Sequence, residues 1–414
     1  MTDGRPWFVA AAMVLLLIYC SVRVYRTAAR QRYDFTTYYL SSTDARTGID
    51  PYRDRDLQSP YIYPPLLFWL VTPFTHLDEQ SAAVVWTWAT FAAWVLAVHL
   101  ARSSLDRLGP APPPGEAFLT VWLPSLLAFR AVFREIHQGQ VNLIVLAIVT
   151  FGFWCLSRRK DALAGLAVAV AADIKILPAA FGLPLAAWGR WRALGATAVL
   201  APVVLALPVL TYGAHRYGEI LGGFLRGRLF QHASDLAMDT HMANQSLIAT
   251  ASRWLTEVSP LPPGYPVMKM NVASLPLTWV ATGTGAIAVA LLVACGLALY
   301  RSRLDSRLTG LGVSLVWLTT HLASKKTWEE HLVTLVFVYT SLLHGDREWR
   351  RLAWPTVAVA ALLQWSHTPV LVGSEMADRI QALGPTTLSL IILWVHVFLR
   401  LWRSGPLSRT GPDR

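Results

Sequence analysis

Between Trp7 and Trp402 apolar runs of about 15–25 residues follow one another, separated by short polar links. A chain built this way has few ways to fold. Each run is near the roughly 20 residues a helix needs to cross the hydrocarbon of a bilayer, and a backbone in lipid must satisfy its own hydrogen bonds. Charged residues make up 15% of the sequence, against about 25% in a soluble domain. The expectation is an all-α, polytopic helical membrane protein, taken as one domain over residues 1–414. The net charge of +11 belongs to basic cytoplasmic loops and not to nucleic-acid binding, because no soluble segment is long enough for a basic domain. Cys20, Cys155 and Cys295 lie far apart, in or beside apolar runs, with neither metal-ligand nor disulfide spacing. The first run lacks an A-x-A-like cleavage site near its end and reads as a retained span.

The basic links order the topology. SRRK (157–160), GRWR (189–192), RSRLDSR (301–307), DREWRR (346–351) and the RLWRSG segment near the C-terminus mark one side as cytoplasmic. The intervening links then face outward: 134–140, the Asp173–Lys175 link, the long polar stretch 213–270, 321–331 and 372–383. The first outer loop, 26–64, joins them if residues 65–77 do not cross. That run has only 13 residues and contains Pro73, so it reads as a re-entrant or short helix. About twelve transmembrane helices result, with both termini cytoplasmic. Arg23, Arg26, Arg30 and Arg32 oppose this arrangement unless an outer anionic group meets them.

The outward links carry the polar chemistry. Asp34 stands just beyond the first span among Tyr33, Tyr38 and Tyr39; it is either a helix cap, a solvated carboxylate or a general base. Lys175 sits in the apolar LAVAVAADIKILPAAFGL, paired with Asp173 or reserved for an anion. His137-Gln138-Gly139-Gln140-Val141-Asn142 offers an imidazole and amides, suited to capping a helix or to binding sugar hydroxyls. His321–His331 holds two lysines and two glutamates without the H-E-x-x-H order of a zinc site. Together these groups suit a ligand with a phosphate head and a sugar, arriving laterally from lipid: a carboxylate as base, cations for a leaving phosphate.

Several short patterns occur in order: Asp34 followed by Tyr38-Tyr39, Gly48-Ile49-Asp50-Pro51-Tyr52, Tyr61-Ile62-Tyr63-Pro64-Pro65, Gly139 to Leu143, Ala164 to Pro178, Asn244 to Leu247 with Arg253, and Trp328 with His331. In this the chain resembles the polyprenol-phosphate-mannose-dependent mannosyltransferases of glycosyltransferase family 87, in the GT-C superfamily. The resemblance implies inverting transfer of a hexose, mannose in the family, from a polyprenyl-phosphate sugar to a glycolipid or envelope glycan acceptor. It places the reaction on the extracytoplasmic face of a plasma membrane, with no cofactor beyond the donor lipid. It implies Asp34 as general base. Lys175, Arg30 and Arg32 would hold the donor phosphate, with Gln140, Asn142 and His331 near the donor. Tyr38, Tyr63, His137, Asn244 and Gln245 would line the cavity or meet the acceptor. The late segment SKKTWEEH is more charged than the family's S-P-x-x-W-x-H-H form. A transporter or flippase of lipid-linked sugars and a non-catalytic glycan-assembly protein are the alternatives. An inactive or an active Asp34 variant separates them from an enzyme.

Overall fold

The structure, a computed structural model, describes residues 6–28, 34–53, 60–112, 116, 118–230, 240–261 and 268–403. Every regular element among them is helical. Helix boundaries track the apolar runs, as expected when a backbone must close its hydrogen bonds within each segment. Four helices among the described residues are long and apolar enough to cross a membrane: Glu79–Leu108, Trp191–Tyr212, Leu277–Ser302 and Pro385–Arg403. Asn142–Ser157 is a shorter apolar helix. Residues 65–77 form a seven-residue helix, Pro65–Val71, and a 3₁₀ turn, Thr72–His76. At 1.5–2 Å per residue the pair is too short to span about 30 Å of hydrocarbon.

The stretch read as the first outer loop, 26–64, contains a regular element. Asp34–Arg46 is a 13-residue helix, free of Gly and Pro and headed by an acidic residue that complements the positive end of its dipole. The polar stretch 213–270 likewise carries helices at Ala214–Gly223 and Leu247–Leu255 and a π-helical segment at Phe224–Phe230.

The described chain forms two compact units. The first comprises Met1–Leu100, Val132–Ala179 and Trp191–Leu236. In it Asn142–Ser157 and Asp161–Ile174 form a hairpin through Arg158–Lys160. The latter helix packs against Trp191–Ala206 at Gly165, where an added Cβ would lie 2.3 Å from the Ala193 carbonyl oxygen and 2.7 Å from Ala196 Cβ. Only glycine permits that approach, the small-residue contact typical of helices in lipid. An aromatic cluster of Phe35, Tyr38, Trp86, Tyr61, Tyr63 and Phe68 packs with centroids 5.3–6.2 Å apart. It seats the Asp34–Arg46 helix. Ser42 Oγ donates to the carbonyls of both Tyr38 and Phe68 at 2.7 Å, tying that helix to Pro65–Val71.

The second unit comprises Ala101–Ala131, Ala180–Arg190 and Ala237–Arg414. Its interior joins the helices Leu277–Ser302, Thr309–Ala323, Leu335–Leu343, Arg347–Trp365 and Pro385–Arg403. Arg253 is fully buried there. Its Nε donates to the Ala382 carbonyl at 2.8 Å, Nη1 to those of Asn244 at 2.8 Å and His241 at 3.2 Å, and Nη2 to Thr250 Oγ1 at 3.0 Å. One guanidinium thus pins the segment before Leu247–Leu255 to the end of Ser374–Ala382. Arg130 grips Glu329 through Nε at 2.5 Å and Nη2 at 3.1 Å, while its Nη1 donates to the Gln364 carbonyl at 2.7 Å.

Candidate active site

The helix Phe129–Gln138 ends at Gly139, whose φ of +66° is left-handed. Gly139 N–H donates to the Ile136 carbonyl at 3.3 Å and Gln140 N–H to that of Glu135 at 3.2 Å. This is the paired-bond termination that glycine favours because it has no Cβ to clash. Trp86 Nε1 fastens the turn by donating to the Gly139 carbonyl at 2.9 Å. The consequence is the position of Gln140.

Gln140 Nε2 donates to Asp34 Oδ2 at 2.8 Å, across 106 residues of sequence. Its Oε1 accepts from Tyr38 Oη at 2.8 Å and Tyr63 Oη at 3.1 Å. Two phenols on the carbonyl oxygen leave the amide NH₂ to face the carboxylate, so the orientation of this amide follows from its partners. Burial pushes the Tyr38 phenol well above its usual range, and Tyr63 and Asp34 push in the same direction. The phenol therefore stays a proton donor, and Gln140 stays aimed at Asp34.

A second chain of bonds runs beside the first. Glu135, fully buried, accepts from Leu143 N–H at 3.0 Å through Oε1 and from Asn142 Nδ2 at 2.8 Å through Oε2. The carboxylate thus caps the start of Asn142–Ser157, where backbone donors lack intrahelical partners and negative charge is favoured. Asn142 Oδ1 in turn accepts from Lys175 Nζ at 2.5 Å. Lys175 leaves the end of Asp161–Ile174 in extended conformation, its ammonium 5.7 Å from the Tyr63 ring centroid. Tyr63 therefore touches both chains: its hydroxyl serves Gln140 and its ring faces Lys175. Asp173, the alternative partner for that lysine, is buried with Oδ2 lacking a hydrogen-bond partner.

Asp34, Tyr38, Tyr63, Gln140, Asn142 and Lys175 thus come together in the first unit from four stretches of sequence. Two further aspartates of the segment, Asp44 and Asp50, have separate work. Asp44 is held by Arg53 at 2.7 and 3.3 Å, and Asp50 Oδ1 caps its own turn through Tyr52 N–H at 2.9 Å. Arg30 and Arg32 lie outside the described residues. His137 stacks on Phe133 with centroids 6.3 Å apart, and its pKa is lowered by burial and then by Arg23 and Arg134.

Asn244, Gln245 and His331 belong to the second unit. Asn244 is fully buried: its Nδ2 donates to the Lys325 carbonyl at 3.0 Å, and Oδ1 accepts from Ser246 and Thr327 N–H at 3.1 and 3.0 Å. Gln245 Nε2 donates to the Met242 and Gln381 carbonyls at 2.7 and 2.8 Å. Asn244 thus braces the backbone around Lys325–Thr327, and Gln245 ties Met242 to Gln381. His331 Nδ1 accepts from Trp328 N–H at 3.3 Å.

Sequence reasoning passed over Glu135 and Trp86. The first was visible as a carboxylate between Val132 and Ile136 in the polar link 134–140. The second had no signal among 18 tryptophans.

Comparison with known proteins adds the following. A family model, glycosyltransferase family 87, matches residues 61–324. A polyprenol-phosphate-mannose-dependent alpha-(1-2)-phosphatidylinositol mannoside mannosyltransferase of Mycobacterium tuberculosis is 26% identical over 171 residues. That match covers 39% of this chain and spans only 38% of the relative's length. A polyprenol-phosphate-mannose-dependent alpha-(1-2)-phosphatidylinositol pentamannoside mannosyltransferase of Mycolicibacterium smegmatis is 26% identical over 339 residues, 78% of this chain and 73% of that protein. The crystal structure of ArnT from Cupriavidus metallidurans in the apo state aligns over 95% of this chain and 77% of that one, with 13% identity and a TM-score of 0.44.

Proposed function

The chain belongs to glycosyltransferase family 87, and from that premise we propose that it transfers a hexose, mannose as in the named relatives, from a polyprenyl-phosphate sugar to a glycolipid or envelope glycan. The transfer inverts the anomeric centre and takes place on the extracytoplasmic face of the membrane. The observation that carries this reading is the aimed carboxylate. Asp34 heads the Asp34–Arg46 helix and is oriented by the amide of Gln140, itself locked by Tyr38 and Tyr63.

In the reaction, the acceptor hydroxyl oxygen attacks the anomeric carbon while the bond from that carbon to the phosphate oxygen breaks. Asp34 takes the hydroxyl proton, and the bonding pair leaves with the polyprenyl phosphate. General-base assistance of this kind contributes roughly 10²–10⁴ in rate. The departing phosphate gains negative charge, which the Lys175 ammonium is placed to attract. Asn142, held by Glu135, fixes where that ammonium sits. Arg30 and Arg32 complete the phosphate site in this reading.

The test is Asp34→Asn in purified, reconstituted protein supplied with polyprenyl-phosphate mannose and a lipid extract of the host, with products read by mass spectrometry. Mannosylated product from the parent and loss of at least about 100-fold in the variant is the expected result. Parent-like transfer by Asp34→Asn removes the catalytic assignment. Parent protein that moves the intact donor across a liposome without transferring sugar establishes a transporter instead.

A further inference from the structure

Three of the basic clusters converge inside the second unit. Arg301 and Arg307, His344 with Trp349, and Arg403 surround one cavity of about 480 Å³. Three of the residues around it carry a buried polar atom with no hydrogen-bond partner: Arg301 Nε, Ser341 Oγ and Trp349 Nε1. Two of these are N–H donors, and buried donors are normally matched to acceptors.

The charges facing this space are unevenly spent. Arg307 is held by Asp305, Nε to Oδ1 at 3.1 Å and Nη2 to Oδ2 at 3.0 Å. Asp346 Oδ1 caps the Arg347–Trp365 helix through Trp349 N–H at 2.8 Å. His344 Nε2 lies 2.8 Å from Asp106 Oδ1. Arg301 stacks on the Trp402 ring at 4.3 Å, and neither it nor Arg403 has a carboxylate partner among the described residues. Two cations and two unmatched N–H donors remain.

An apolar groove of about 670 Å³ lies along the same two helices. Leu292, Gly296 and Leu297 line it from Leu277–Ser302, which then delivers Arg301 to the cavity. Val316 and Thr320 line it from Thr309–Ala323, whose Leu311 borders the cavity. Leu183 closes the third side. Leu297 and Arg301 are four residues apart, on one face of their helix. From Arg301 back to Leu292 the rise is about 13 Å, close to the depth of one leaflet of a bilayer about 30 Å thick.

A basic, donor-rich pocket followed by one leaflet's depth of apolar groove matches a phosphate head joined to an acyl chain. We infer that the second unit holds an anionic glycerophospholipid here. Its phosphate accepts from Arg301 and Arg403, and one acyl chain lies against Leu292, Gly296, Leu297 and Val316. This site rests on residues outside the Asp34 network and stands whether or not the transferase reading does.

Full-length protein in detergent, stripped of lipid, is titrated with phosphatidylglycerol, with phosphatidylcholine or with inorganic phosphate. Bound lipid is counted by native mass spectrometry and thermal unfolding is followed in parallel. Phosphatidylglycerol is expected to bind and raise the unfolding temperature, the other two to do neither. The double variant Arg301→Gln, Arg403→Gln should weaken that binding about tenfold or more, since each charged hydrogen bond contributes on that scale. Gly296→Leu, which fills the groove beside Leu183, should weaken it with all cations intact, and Trp349→Phe, which removes the unmatched indole donor but keeps an aromatic side chain, should weaken it too. Equal protection by inorganic phosphate, equal binding of phosphatidylcholine, or parent-like affinity in both the arginine and the Gly296→Leu variants overturns the site.

Discussion

Gln140 and Asp34, 106 residues apart, share a 2.8 Å hydrogen bond in which the amide is the donor and has no alternative orientation. Gln140→Glu tests that relationship directly. It sets a second carboxylate against Asp34 Oδ2, and two carboxylates at that distance share a proton, which raises the apparent pKa of the base. The acidic limb of the pH–rate profile should move to higher pH by about one unit or more. Gln140→Ala, which removes a hydrogen-bond donor from the carboxylate without adding a charge, should lower kcat and move that limb upward by less.

Glu135→Gln should be far from conservative. Its single amide oxygen can accept from Leu143 N–H or from Asn142 Nδ2, and its NH₂ then confronts the other donor. If Asn142 turns over to accept, its own NH₂ faces Lys175 Nζ. Each arrangement leaves one donor opposed, costing about 1–3 kcal/mol. The expected readout is a lower unfolding temperature together with a KM for the polyprenyl-phosphate donor raised more than kcat is lowered. A change in kcat alone, with donor KM unmoved, would show that the relay does not position Lys175.

Gly139→Ala places a Cβ at φ +66°, costing roughly 1–2 kcal/mol and loosening the turn that delivers Gln140. Activity should fall further than stability does. Trp86→Phe, which removes the bond to the Gly139 carbonyl, should reproduce the activity loss in part. Measuring kcat beside the thermal midpoint of each variant separates the two effects.

Arg253→Met should destabilise the second unit by about 3 kcal/mol or more. At least three main-chain carbonyls, of Ala382, Asn244 and His241, lose a donor at roughly 1 kcal/mol or more each. Arg253→Lys should rescue little, since one ammonium cannot reach this spread of acceptors. Chemical denaturation in detergent, or resistance to proteolysis, provides the measurement.

Alkaline pH should weaken the segment of the first unit that carries Tyr38, Tyr52 and Tyr61. Burial raises the phenol pKa of Tyr38, Tyr52 and Tyr61 well above 10. The unfolded chain releases these protons near pH 10 while the folded chain retains them, so stability is full below that value and declines as pH rises through and beyond it. The thermal midpoint should drop between about pH 9.5 and 11, and Tyr38→Phe should flatten that drop. A midpoint constant over this range would contradict the burial of these phenols.

Much of the fold was legible because its signals are local. Apolar runs between basic links foretold an all-helical chain, and Pro73 in a 13-residue run foretold the short elements at 65–76. The helix Asp34–Arg46 escaped notice: its apolar face is carried by Phe35, Tyr38 and Ala45 among buried threonines and serines, a pattern with no apolar stripe to read. The amides were harder still. Gln140 and Gln245 have the same side chain in similar polar stretches, yet one reaches a carboxylate and the other holds the Met242 and Gln381 carbonyls.

The sequence by itself determined that this is a helical membrane protein, and it carried the family match over residues 61–324. Those properties follow from transfer free energies and residue spacing, which are summed along the chain. Only the tertiary structure decided which polar groups act together. A buried donor or acceptor is satisfied by whatever packing brings within 3 Å of it, and here packing brought Gln140 to Asp34, Glu135 to Asn142, and Asn142 to Lys175.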